Sequence, residues 1–566
     1  MAWTTQLLVF LLIQASVAHK ILVFNPTYST VRVNFVTALV NTLVEAGNEV
    51  HVIIPEVASN VKVIGSKAHR TMFVPSLKGN PLNSMILHTD PFSSFDMRDA
   101  VFIQNMTIVA ETMGADLIAG YDHWMELKRE GGYDVGIAEN FHAFGIMELL
   151  KVKQTILFIP GARSSAISRM IVNVPAPPSS MPDAFFSSLA LSLPSLSLGQ
   201  RAFSLAASLA TSQLMEMHVD REDLLIRSHW PQLSPLRQSL DMIALIVENA
   251  HPLLSLPEYR THQIVPIGGL IVDASIDDID DEVTRFLDSL ERDAVVITFS
   301  SIDVDAKLSD KLKNILLDTI SALPEVLFLW KIDMETSGKL PVNLYSFSGS
   351  LKSALGHPRV RAVLCDMDAT TYHEVSFSGG APLIALPLLG DQSYHAAAAF
   401  DRGMTLLLDR DTVTAERIIA AIRKVLSEQS YTTNAAALAK RLRRWPQRAI
   451  DSLIKHVDYV AEYGRPLGLQ FPMVAFWTYY CLDIIVPVLI VLVLISYTIM
   501  RLWISVYLQI FKRLTRSECC RNKLEVNSDE EEDGEEEEEP EEPQHHDLHH
   551  SHEGHGHGHS HEVSCH

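Results

Sequence analysis

From Lys20 onward the chain alternates short apolar runs with stretches of helical period. Lys20 to Phe24 is an apolar run too short for a helix and reads as a strand, followed by a polar turn from Asn25 to Arg32. Val33 to Ala46 spaces its apolar residues for a helix that Gly47 stops, and Val50 to Ile54 is a second strand, which completes a βαβ unit. Tyr133 to Ala138 and Gln154 to Ile159 read as further strands with a helix, Phe144 to Lys151, between them. Pro175 to Leu198 is rich in Pro and Ser without a clean period and reads as a long loop carrying short helices. After the turn His251 to Pro257 a second α/β series is expected. It comprises Ile264 to Gly269, a strand Ala294 to Phe299, a helix Ala306 to Leu323 and a strand Val326 to Trp330. Then come a strand Ala362 to Cys365, a polar turn and a helix opening near Thr371 that Gly379 and Gly380 close. Pro382 to Leu386 follows as a strand, and Asp391 and Gln392 open a helix that stops at Gly403. Two successive α/β halves of this kind place a ligand crevice at the strand ends.

The ends of the chain read differently. Gln6 to Val17 is apolar and runs into Ser16-Val17-Ala18, the small-residue pattern of a secretory cleavage site, although no Lys or Arg precedes it. Phe471 to Met500 is apolar apart from Asp483 and carries Trp477, Tyr479 and Tyr480 at one edge, as a membrane-spanning helix does. Arg501, Lys512, Arg513, Arg516, Arg521 and Lys523 follow, so the positive-inside rule puts the last residues in the cytosol and the body in the lumen.

Charge changes the picture only at the C-terminus. The formal net charge is -22, but 17 acidic residues stand against 3 basic ones from Thr515 onward, so the remainder is mildly acidic. Asp529 to Glu542 is almost wholly carboxylate and His545 to His561 is His-rich. That composition cannot bury enough apolar surface to fold and reads as a disordered tail. Its His555, His557, His559 and His561 form a weak site for Zn²⁺ or Cu²⁺; no metal site is expected in the folded part. Cys365 is the one cysteine of the body, so no intramolecular disulfide staples it, while Cys519 and Cys520 beside the basic flank suit palmitoylation or remain free thiols. Asn105-Met106-Thr107 is a glycosylation sequon that a luminal position makes usable.

The densest information lies between His357 and Gly403, HPRVRAVLCDMDATTYHEVSFSGGAPLIALPLLGDQSYHAAAAFDRG. With KILVFNP, NVPAPPSSMP, the PIGG run, VVITFSS and the YYCLDII segment before the apolar helix, it resembles the UDP-glycosyltransferases, and within them the membrane-bound UDP-glucuronosyltransferases. The resemblance implies the GT-B fold, two facing Rossmann-like domains. A signal peptide is then expected at 1–18, an acceptor-side domain at 19–256, a UDP-sugar-side domain at 257–465, a transmembrane helix at 471–500 and a cytosolic basic flank with the acidic, His-rich tail at 501–566.

That family transfers sugar with inversion: a histidine in the first βα turn deprotonates the acceptor hydroxyl and an acidic partner orients it. The matching positions here are Arg32 and Glu139. A guanidinium stays protonated at physiological pH and cannot take that proton. Glu139 either replaces the base or pairs with Arg32, and His51 and His142 are the alternative imidazoles. On the donor side the resemblance assigns Thr371, Glu374 (ribose), Asp391 and Gln392 (sugar), although Thr371 to Glu374 also fits a capping box and Asp391 an N-cap. Asp366-Met367-Asp368 replaces the family's His-Gly-Gly turn at the diphosphate. Ser348 and Leu351 replace a Trp and a Gln around the uracil, leaving Phe347 to stack, and Ser300 replaces a glycine before Ser301.

Three readings follow. The first is a UDP-glycosyltransferase moving a sugar from UDP-glucuronate or UDP-glucose, with no further cofactor, to a small lipophilic acceptor. The second is an impaired pseudo-glycosyltransferase that binds ligands or partner transferases, and the third a metal-binding or trafficking role for the tail. All three fit a single-pass protein of the endoplasmic reticulum or another secretory-pathway membrane, as a homo- or hetero-oligomer, with no nucleic-acid partner. The ending Glu562-Val563-Ser564-Cys565-His566 lacks the family's dilysine.

Overall fold

The computed structural model describes residues 18–58, 61, 65–77, 98–174, 177, 181, 183–184, 196–273, 281–289, 292–299, 310–331, 340–347, 351–388, 390–466, 469 and 475–528. The signal segment, Ser300, Ser301, Ser348 and the tail histidines lie outside these residues, as do the side chains of Asn105, Cys519 and Cys520.

Strands β1 (Lys20–Phe24), β2 (Glu49–Pro55), β3 (Arg70–Val74), β4 (Val135–Ala138), β5 (Gln154–Ile159), β6 (Leu245–Glu248) and β7 (Ile264–Pro266) form one parallel sheet in the order β3-β2-β1-β4-β5-β6-β7. Strands β8 (Ala294–Thr298), β9 (Leu327–Lys331), β10 (Leu344–Phe347), β11 (Val360–Cys365), β12 (Leu383–Ala385) and β13 (Thr405–Leu407) form a second, ordered β10-β9-β8-β11-β12-β13. Most strands are buried along their length, because helices cover both faces, and so they read as unbroken apolar runs. On one face of the first sheet Phe35, Leu39 and Leu43 of the helix Thr30–Glu45 meet Leu453, Val457 and Val460 of the helix Ala449–Tyr463. On the other, Trp124, Tyr133 and Phe144 centre a larger core.

Two elements depart from the expectations. Ile264–Pro266 does not open the second series. It pairs with β6 (Val247 opposite Val265) and completes the first sheet, a register that only long-range pairing sets. The long helix Leu198–His229 begins where a loop was expected to end, and its buried residues include Ser204, Ser208 and Thr211, so it shows little apolar period.

In each sheet the strand order reverses at one point, between β1 and β4 in the first and between β8 and β11 in the second. Open α/β sheets hold ligands above the carboxyl ends of the strands at such points. The segments leaving β1, β4 and β11 carry Arg32, Glu139 and Asp366.

The C-terminal unit contains the helices Phe476–Tyr479 and Leu482–Ser528. Leu482–Ser517 has a mean hydropathy of 2.6 in its most apolar stretch and is long and apolar enough to cross a membrane.

Candidate functional site in the cleft

The helix after β1 starts where Ser29, in extended conformation, accepts the Arg32 amide at 3.4 Å. Arg32 thus sits in the first turn, its guanidinium 5.7 Å from the Tyr28 ring centroid. Glu139 is the first residue past β4, and its Oε1 lies 4.0 Å from Arg32 Nη1. That is a charge contact beyond hydrogen-bond reach. Arg32 is about one-third exposed and Glu139 almost fully enclosed (34 and 8% of the side chain), and Glu139 Oε2 has no hydrogen-bond partner among the described residues. Burial raises the Glu139 pKa and Arg32 only partly pulls it back. Burial opposes the charge on Arg32, but Glu139, Asp391 and Asp368 outweigh it and hold the guanidinium above its ordinary value. The neighbouring Asn140 donates its Nδ2–H to the Tyr28 hydroxyl.

Neither alternative imidazole stands free as a base. His51 pairs with Glu49 at 3.0 Å and with the Tyr133 hydroxyl at 2.9 Å. His142 is 2% exposed and lies 3.4 Å from Glu222, whose other oxygen is 2.8 Å from His218. Burial works against the Glu222 charge, yet the two imidazoles bring its pKa down to about 2.

Past β11 the turn is closed by its own carboxylates. Asp366, fully buried, accepts the Asp368 amide at 3.3 Å, and Asp368 caps the helix Ala369–Ser378 by accepting the Thr370 amide at 2.9 Å. Met367 between them has φ +66°, a left-handed conformation that suits glycine, and its buried side chain packs into the core beneath. The helix therefore begins at Ala369 with Asp368 as its cap, so Thr371 lies inside the first turn and does not cap it. Burial, then the nearby Asp391, raise the Asp368 pKa against the pull of Arg32.

Asp391 precedes the helix Gln392–Asp401 without capping it by its side chain. Its Oδ2 instead accepts the Ala162 amide at 2.7 Å, beyond β5, and lies 3.3 Å from His395 Nε2. A Cβ on Gly161 would come within 2.1 Å of that oxygen, so the approach requires glycine. Burial opposes the Asp391 charge, but the contacts with His395, the Ala162 amide and Arg32 hold its pKa below the ordinary range. Gln392 Oε1 accepts the Leu388 amide at 2.7 Å, Thr371 is buried, and Glu374 is partly exposed on the same helix. Leu351 and Phe347 are packed into the core, which removes Phe347 from a stacking role at a uracil.

A second junction was not foreseen. Asn249, after β6 and fully buried, donates Nδ2–H to Pro160 O at 3.1 Å and to Thr370 Oγ1 at 3.2 Å, and its Oδ1 accepts from His373 Nδ1 at 3.0 Å. Burial, then His395 and His251, keep His373 neutral. No sequence signal pairs residues this far apart. Among the described residues no group of three or more His, Cys, Asp or Glu is placed to hold a metal ion.

Residues 19–517 match the family described as UDP-glucoronosyl and UDP-glucosyl transferase. UDP-glucuronosyltransferase 2B16 of Oryctolagus cuniculus is 26% identical over 233 residues, 40% of this chain and 43% of that protein. The ecdysteroid UDP-glucosyltransferase of Lymantria dispar multicapsid nuclear polyhedrosis virus is 24% identical over 275 residues, 48 and 54% of the two chains. The chain thus spans about half the length of these relatives. Among solved structures, that of Phytolacca americana UGT2 complexed with UDP-2fluoro-glucose and pterostilbene is 13% identical with a TM-score of 0.52, covering 78% of this chain and 99% of that one. The glycosyltransferase VinC, solved with DTDP, is 19% identical with a TM-score of 0.50, covering 79 and 100%. Two parallel sheets with their switch points at one cleft are the GT-B arrangement, and the chain belongs to the UDP-glucuronosyl and UDP-glucosyl transferase family.

Proposed function

We propose that this chain is an impaired member of its family, a membrane-anchored pseudo-glycosyltransferase that binds small lipophilic ligands or partner transferases and does not turn over a UDP-sugar. The observation that carries this reading is the turn Asp366-Met367-Asp368, whose carboxylates take up amides at the start of the helix. A helix N-terminus binds a diphosphate through its free amides and positive end. Here that end already holds an anion. Arg32 in the place of a base adds a second obstacle, since it cannot accept a proton.

A second reading keeps sugar transfer and gives Glu139 the proton. It rests on the unpartnered Oε2 and the raised pKa, both of which suit a general base. The two readings separate in a transfer assay with the full chain in membranes, UDP-glucuronate or UDP-glucose as donor and a panel of phenolic acceptors. The expected result is no product above a membrane blank. Product formation that Glu139→Gln abolishes, and Arg32→Ala leaves within a fewfold, would establish the second reading.

Orientation follows the flanking charges. We place the residues before Phe471 in the lumen of the endoplasmic reticulum or a related compartment and those after Arg501 in the cytosol. In sealed microsomes, added protease should remove the tail while the membrane protects the body, and Asn105 should carry a glycan; a protected tail would reverse the assignment.

A further inference from the structure

Among the buried residues of the helix Leu198–His229 one is charged. Glu222, 1% exposed, stands on the inward face between Val219 and Ile226. A carboxylate this deep persists only with partners. It has two: Oε2 lies 3.4 Å from His142 Nδ1, and Oε1 lies 2.8 Å from His218 Nε2. His218 stands one turn earlier on the same helix, its ring centroid 5.8 Å from that of Phe141. His142 belongs to the helix Phe141–Leu149, which leaves β4 directly after the cleft residues Glu139 and Asn140. One buried cluster thus joins the long helix to the segment that carries the cleft carboxylate.

The other charges on the packed elements are engaged elsewhere. On the helix Arg98–Ala119, Glu111 pairs with Arg221 at 3.4 Å and Asp116 accepts the Leu77 amide at 3.1 Å. Glu111 supports the charge on His218 and Arg221 opposes it. Glu148 accepts the Ser234 amide and the Ser239 hydroxyl, and Arg169 bonds to the Ser212 hydroxyl. On the long helix itself Glu216 pairs with Arg237 at 3.4 Å and Asp223 with Arg227 at 3.5 Å, while Asp220 faces solvent. Toward the cleft the cluster meets Tyr28, whose hydroxyl keeps its proton through burial, then Glu139, with a smaller push from Glu222.

We propose that Glu222, His142 and His218 form a pH-sensitive clasp that holds the long helix to the cleft wall at mildly acidic pH and loosens as pH passes above neutral. Burial opposes the charge on His218, but Glu222 outweighs it and raises the folded pKa. Its contribution is therefore fully present below the ordinary histidine value of 6.5 and is lost as pH rises through the folded one. For Glu222, held at about 2, the contribution is present above the ordinary value of 4.5 and is lost only as pH falls toward 2. A deprotonated imidazole still offers one N–H, but the positive charge that offsets the buried carboxylate is gone. The clasp invokes neither UDP nor sugar transfer, so it stands or falls independently of the function proposed above.

The test is hydrogen exchange of the full chain in detergent between about pH 5.5 and about pH 8.5, read on peptic peptides and corrected for the intrinsic exchange rate at each pH. Protection of residues 139–149 and 214–229 should fall by roughly tenfold or more toward the alkaline end, because a buried pair that loses its charge partner weakens far more than an exposed one. Strand β11 is the control and should keep its protection. Glu222→Gln should abolish the fall, since without the carboxylate a proton on His218 gains nothing. His218→Gln, which leaves a non-titrating amide donor beside the same oxygen, should do likewise and serves alone if the first variant does not fold. If neither folds, the two segments compared with β11 in the unaltered chain decide. Flat protection across the range, a fall that β11 shares, or a fall that persists in either folded variant would overturn the proposal.

Discussion

Replacing Arg163 by Leu is expected to destabilise the full-length protein by about 3–5 kcal/mol, the cost of removing one partner from a buried ion pair. Arg163 Nε lies 3.0 Å from Glu248 at the end of β6, and its Nη2 lies 3.1 Å from Glu258. Arg260 closes the ring, with Nη1 3.0 Å from Glu248 and a further pairing to Glu258. The Arg163 and Glu248 side chains are 2 and 1% exposed. Without Arg163 the two carboxylates share Arg260 alone, and burial followed by Glu248 already raises the Glu258 pKa. The denaturant midpoint in detergent should fall accordingly, and adding Glu248→Gln should recover part of the loss. A change below about 1 kcal/mol, the scale of exposed pairs, would mean that solvent reaches the network.

This network shows where sequence reading stops. The strands were legible because sheets covered on both faces leave apolar runs, as in KILVF and AVVIT. Arg32, Glu139 and Asp366 were singled out through the family resemblance, which assigns roles to the segments that follow the strands carrying them. Asn249, His373 and the ring of Arg163, Glu248, Glu258 and Arg260 were not, since the contacts of Arg163 with Glu248 and Glu258 and of Asn249 with His373 join residues far apart in the chain and no local period marks them. β7 was assigned to the wrong series for the same reason: IVP is strand-like in either sheet, and its partner is chosen by packing. For Asp391 an N-cap, the locally favoured use of Asp before a helix, stood beside the sugar contact that the resemblance implies; its carboxylate does not cap and reaches across to Ala162.

The double replacement Asp366→His with Asp368→Gly should raise the affinity for UDP on the order of a thousandfold. A single unit charge about 4 Å from a like charge costs about 4 kcal/mol at an effective dielectric near 20. That is roughly three decades in a dissociation constant. Opening the cap also frees the Thr370 amide that Asp368 now occupies. The fold should tolerate the change at position 368, because glycine is itself an acceptable N-cap and costs only a few tenths of a kcal/mol there. Neither replacement alters Met367, which holds the left-handed backbone of the turn; because His is larger than the fully buried Asp366, thermal unfolding of the variant checks its fold. An unchanged affinity in a folded variant would show that charge at this turn is not what keeps UDP away.

The most direct measurement is titration calorimetry of UDP into the unaltered full-length protein in detergent at physiological salt. With Asp366 and Asp368 holding the amides at the end of β11, no saturable heat is expected below about millimolar UDP, an affinity of about -4 kcal/mol. Saturable binding in the micromolar range, about -8 kcal/mol, would contradict the account by showing that a diphosphate is accepted at this turn despite its carboxylates.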